Sequence, residues 1–105
     1  MEFKEKLNNL FKELRKIGYV ARQNFSCCTS CASYELGDYF SKKGIPEGKG
    51  RKAVYYHHQN TQDIDKGFIH LGWSGDGTVI TTLAKKVGLK VDWNGSKDNK
   101  IKVFV

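Results

Sequence analysis

Apolar residues fall along this chain in short periodic blocks, separated by glycines and polar runs. Phe3, Leu7, Leu10, Phe11, Leu14 and Ile17 recur at helical spacing, with Lys4, Lys6, Lys12, Glu13 and Lys16 between them. That period predicts an amphipathic helix, ended by Gly18. Tyr19 to Gln23 reads as a short strand, and Asn24 to Ser26 as the turn into a second helix capped by Ser26 or Thr29. On that helix Cys28, Cys31, Ala32, Leu36, Tyr39 and Phe40 share one face, so the thiols are expected to point inward from its first turn.

Ser41 to Lys52 is dominated by glycine and lysine with one proline, the pattern of an exposed basic loop. Ala53 to His57 and Phe68 to Trp73 read as strands joined by the polar stretch Gln59 to Gly67. Thr78 to Val87 is a third helix with Val79, Ile80, Leu83, Ala84 and Val87 inward and Gly88 closing it. Leu89, Val91 and Trp93 alternate with Lys90 and Asp92, and Ile101, Val103 and Val105 repeat the pattern after Asn94 to Asn99, which predicts a closing hairpin. The element order predicts an α+β domain: a mostly antiparallel sheet of about five strands, with three helices packed on one face. There is no internal repeat or linker, so residues 1–105 are expected to form one domain.

A chain of 105 residues, 39% hydrophobic, supports a compact but small core that would gain from a staple. Eighteen Lys and Arg against eleven Asp and Glu give a net charge of +7. That field favours acidic partners, nucleic acid or an acidic protein patch. Three cysteines cannot all pair within one chain, and adjacent Cys27 and Cys28 are poorly placed to bridge each other, which fits a reducing compartment. Met1 to Lys16 has no continuous apolar run, so it reads as neither signal peptide nor membrane span, and a cytoplasmic location is expected.

Three stretches approach a catalytic or binding motif and miss it. Gly44 to Gly50 is one residue short of a phosphate loop and follows a helix instead of a strand. Gly72-Trp73-Ser74-Gly75-Asp76 lacks the last glycine of a nucleophile elbow and no histidine follows it, so Ser74 or Asp76 reads as a helix cap. Asp63-x-Asp65-x-Gly67 has too few acids for a calcium loop and reads as a solvated turn.

The cysteine cluster is different. Cys28 and Cys31 have the two-residue separation that lets both sulfurs face one zinc ion, and Cys27 can add a third thiolate from the turn before the helix. A fourth ligand must come from His57, His58 or His70; His57 is the choice, and strand alternation allows only one of His57 and His58 to face the thiols. Simple burial of the thiols is the competing explanation, and a redox C-x-x-C is another, which would need an exposed attacking thiol. The expected cofactor is one structural Zn2+ held by Cys27, Cys28, Cys31 and His57.

Three stretches together resemble a bacterial family known only as a domain of unknown function. They are Gly18 to Cys31 with its NF-x-CC-x-x-C motif, Tyr55-Tyr56-His57-His58-Gln59-Asn60-Thr61, and Gly88 to Gly95. The resemblance implies His57 as the family's histidine; where that family tends to carry an acid after the glutamine, this chain has Asn60. In size and basicity the chain is also similar to phage-encoded type II anti-CRISPR proteins, which implies Cas9 as a partner and a bacterial host cytoplasm as the setting.

No paired carboxylates and no nucleophile with its base emerge from the sequence, so an interaction protein is expected instead of an enzyme. Its partner-binding residues are expected to be Lys42, Lys43, Lys49, Arg51 and Lys52, with Tyr55, Tyr56 or Trp73 reading equally as aromatic anchors or as core. The alternatives are a nucleic-acid-binding domain that uses the same basic loop over residues 42–52, with Tyr55 and Tyr56 for stacking, and a cellular interaction domain.

Overall fold

The computed structural model describes residues 2–23, 29–46, 51–56, 61–96 and 99–105, with side chains at all of these except 29–33 and 61–62. The elements run α1 (Phe3–Lys16), β1 (Val20–Arg22), α2 (Thr29–Lys42), β2 (Ala53–Tyr55), α3 (Thr61–Ile64), β3 (Phe68–Ser74), α4 (Gly77–Lys86), β4 (Lys90–Asp92) and β5 (Ile101–Phe104). α1 and α4 close alike. Gly18 and Gly88 both take φ 96°, which lets the Tyr19 amide donate to Leu14 O at 3.0 Å and the Leu89 amide to Ala84 O at 2.9 Å. This glycine closure satisfies helix-end carbonyls and turns the chain directly into β1 and β4.

The strands form one sheet in the order β1-β2-β3-β5-β4. β1 and β2 are parallel, with Val20 opposite Ala53 and Arg22 opposite Tyr55, and the other three pairings are antiparallel. The fold is α+β, as the element order predicts, but the sheet is mixed and not mostly antiparallel. The physical reason is α2: a strand, a helix and a second strand bring the chain back to its starting end, so β1 and β2 can only pair in parallel.

That crossover also corrects the expectation that the helices share one face. On one side Leu7, Leu10, Phe11 and Leu14 of α1 and Ile80 and Ala84 of α4 pack on Ala21, Val54, Ile69, Leu71, Ile101 and Val103. On the other side Leu36 and Phe40 of α2 cover Ala53 and Tyr55. All three residues of β2 are therefore buried, which alternation permits only for a strand covered on both faces. The stretch read as a polar connection contains the single turn α3, and its Ile64 packs against the larger core. Among the described residues no helix is long and apolar enough to cross a membrane.

Candidate metal centre

Cys27, Cys28, His57 and His58 lie outside the described residues. Cys31 belongs to the first turn of α2, and its side chain also lies outside the description. What the structure defines is the frame from which these residues depart. β1 leads through Gln23 into residues 24–28, and β2 leads through Tyr56 into residues 57–60. Because β1 and β2 are parallel neighbours with Arg22 opposite Tyr55, both segments leave the sheet at the same end. The Tyr56 amide still donates to Arg22 O at 3.4 Å.

Side chains lock the two exits together. The Tyr56 hydroxyl donates to Gln23 Oε1 at 3.0 Å and accepts from Lys4 Nζ at 2.8 Å. Lys4 Nζ also donates to Gln23 Oε1 at 2.9 Å, and Gln23 Nε2 donates to Asn8 Oδ1 at 2.9 Å. The buried Tyr56 ring packs edge-on against Phe11, with centroids 5.9 Å apart. Two residues of α1 thus hold the ends of β1 and β2 in a fixed relation. The carboxyl ends of adjacent parallel strands are where open sheets commonly place their ligands.

The family model for a domain of unknown function, DUF6891, matches residues 2–105. The chain belongs to this family. No curated protein matches it, and neither does any solved structure. The DUF6891 match includes α1, which lies outside the three stretches that carry the resemblance in the sequence.

The alternative ligand His70 sits half-buried in the middle of β3 of this DUF6891 domain, edge-on to Phe68 at 5.9 Å and opposite Lys102. Among the described residues no group of three or more His, Cys, Asp or Glu is placed to hold a metal ion. Asp63 and Asp65 flank a turn in which the Lys66 amide donates to Asp63 O and the Gly67 amide to Ile64 O. Asp76 is the N-cap of α4, its carboxylate accepting from the Thr78 amide at 2.9 Å, and the Ser74 hydroxyl donates to Arg51 O. The stretch that approaches a nucleophile elbow is thus a strand end and a helix cap.

The residues of the expected basic loop have different surroundings. Lys42 is exposed and paired with Asp38 at 3.0 Å, while Lys43 lies 5.4 Å from the Tyr39 ring. Arg51 turns back over Phe40 and donates to Ile45 O at 3.0 Å, tying the two ends of its loop. Lys52 emerges on the opposite side of the sheet, in a cleft of about 360 Å³ lined by Ile17, Tyr19, Asp76 and Val79. Lys49 lies outside the described residues. The candidate anchors Tyr55 and Tyr56 are buried, and Trp73 packs against the larger core. Among the described residues Tyr34 on α2 is the most exposed aromatic, at 79%. Its position off the Leu36–Phe40 stripe is legible in the helical period.

Proposed function

We propose that this DUF6891 domain is a zinc-stapled binding module that works through its surface and not by catalysis, with the ion held by Cys27, Cys28, Cys31 and His57. The observation that supports this most is the common exit of the cysteine-bearing and histidine-bearing segments from parallel β1 and β2, fixed by Tyr56, Gln23 and Lys4. Three thiolates and one imidazole make a closed tetrahedral set, the type used for structure. Such a set would join the start of α2 to the end of β2 and stiffen the surface around them, lowering the entropic cost of binding a partner. Thiolate ligands require a reducing compartment such as the cytoplasm.

Reduced protein purified without chelator is expected to carry about one equivalent of zinc and to melt at lower temperature once it is removed. Metal-free protein, or a melting curve indifferent to chelation, would overturn the reading. The charge of +7 suits an acidic partner surface. A phage-type inhibitor of Cas9 is the specific form of that role, resting on small size and basicity. DNA cleavage by several guide-loaded Cas9 enzymes, with and without the protein, tests it; if none is inhibited and none is bound, that target is removed and the zinc module stands.

A further inference from the structure

The part of the sheet that α2 leaves open carries a second arrangement of rings and cations. Register places Phe68 opposite Phe104 and His70 opposite Lys102 between β3 and β5, and Lys90 opposite Phe104 between β4 and β5. Alternation puts all five on the side away from Ile69, Leu71, Ile101 and Val103. Among the described residues neither Phe68 nor Phe104 belongs to a core cluster, and both are half-buried. Lys102 Nζ lies 4.9 Å from the Phe68 ring centre and 5.5 Å from that of Phe104. Among the described residues of β3, β4 and β5 the acid on this face is Asp92, opposite Lys102, and Lys90 and Lys102 outnumber it.

We propose that this face binds single-stranded nucleic acid, with bases stacking on Phe68, Phe104 and His70 and phosphates meeting Lys102 and Lys90. Rings spread over adjacent strands of an open sheet offer flat π-faces to unpaired bases, whereas bases in a duplex already have theirs covered. Lys102 has a flexible stem, and a phosphate attracts its ammonium more strongly than a ring quadrupole does, so a strand lying on the sheet would draw it off the rings. A purely apolar protein partner fits poorly, because covering this face would desolvate Lys102 and Lys90 without replacing their water. The site is independent of the proposed metal and uses none of the residues of the basic loop.

The test is fluorescence anisotropy with the full chain as purified, metal included, using labelled oligo(dT) and oligo(rU) of about a dozen nucleotides. The expected result is saturable, salt-sensitive binding of at least one of them, with a duplex of equal length competing poorly; the two oligonucleotides distinguish DNA from RNA. Phe68→Leu and Phe104→Leu keep an apolar side chain but remove the ring, and each is expected to weaken binding about tenfold. Lys102→Gln is expected to reduce the slope of log affinity against log salt by about 0.7. Melting curves check that each variant folds. Full-strength binding by a folded Phe68→Leu, Phe104→Leu double variant would overturn the proposal. So would absence of binding at low salt, or equal binding of duplex or polyglutamate.

Discussion

Two glycines with opposite surroundings show how much one methyl group decides. A Cβ on Gly77, at the start of α4, would come within 2.6 Å of Trp93 Cη2 and 2.9 Å of Trp73 Cη2. Those indoles pack edge to face at 5.5 Å and are held in place by donation to Asn99 O and Ser96 O. Retreat of either ring has to work against the hydrogen bond that its indole makes. Gly77→Ala is therefore expected to destabilise the fold by about 1–3 kcal/mol and to alter the near-UV signal of the tryptophans. Gly37, inside α2, has nothing within 4 Å of the same added atom. Gly37→Ala is expected to stabilise by about 0.5–1 kcal/mol, read as a higher denaturation midpoint, because alanine has less backbone entropy to lose in a helix.

Tyr19 belongs to the same scale. Its hydroxyl donates to Asp76 O at 3.0 Å and accepts from the Asp76 amide at 3.1 Å. Burial pushes its pKa above the usual 10.0, helped by the Asp76 charge and opposed by the Asp76 amide. A folded-state value above the unfolded one means that the native state holds its proton longer. The contribution is thus complete below pH 10 and is lost as pH rises through the folded value. Alkaline melting curves of wild type and Tyr19→Phe are expected to converge as pH climbs past 10, and a constant gap would remove this explanation.

At the scale of elements, α1 is more than a core helix. Its Arg15 donates to Ala21 O at 3.1 and 2.8 Å, satisfying a carbonyl on edge strand β1 that would otherwise invite another chain. Its Lys4 and Asn8 reach the Tyr56–Gln23 junction between β1 and β2. Tyr56→Phe keeps the buried ring and removes the hydroxyl that both Lys4 and Gln23 use. It is expected to lower stability by about 1 kcal/mol. On the proposed zinc site, the variant is also expected to release zinc to a competing chelator more readily than wild type does, whereas Gly37→Ala is not. Equal zinc retention would separate the junction from the metal.

On the scale of the whole molecule, the tyrosines of the second strand belong to the core and one on α2 to the surface. Tyr55 covers Gly72, where an added Cβ would overlap its ring, and Tyr56 is buried at the strand end. Tyr34 stands out from α2 beside Asp38 and Lys42. Tyr34→Ala is expected to leave the melting temperature nearly unchanged, within about 0.5 kcal/mol, because it removes no buried contact. The same change is expected to weaken capture of a protein partner in a pull-down, since exposed tyrosines commonly anchor interfaces. Undiminished capture would place the interface elsewhere.

The sequence by itself determined the elements whose periodic pattern runs long enough to be unambiguous. α1 and α4 follow from three-to-four spacing ended by Gly18 and Gly88, and the alternation of Val91 with Ile101 and Val103 marks strands half-buried on one side. Local chemistry also narrowed the helix cap to Ser74 or Asp76, and the fold chose Asp76. Tertiary structure alone decided that β1 lies beside β2, that α2 covers the opposite face, and that Tyr56, Gln23 and Lys4 meet. These are contacts between residues far apart in sequence, and a period of 2 or 3.6 says which side of an element is apolar without saying what will cover it. The same reason left Tyr55 and Tyr56 open between anchor and core, because a strand buried on both faces shows no alternation from which burial can be read. The cysteine spacing raised a metal site beside simple burial and a redox pair; the parallel pair β1 and β2, which the sequence could not supply, puts the strand ends that precede residues 24–28 and 57–60 at one end of the sheet.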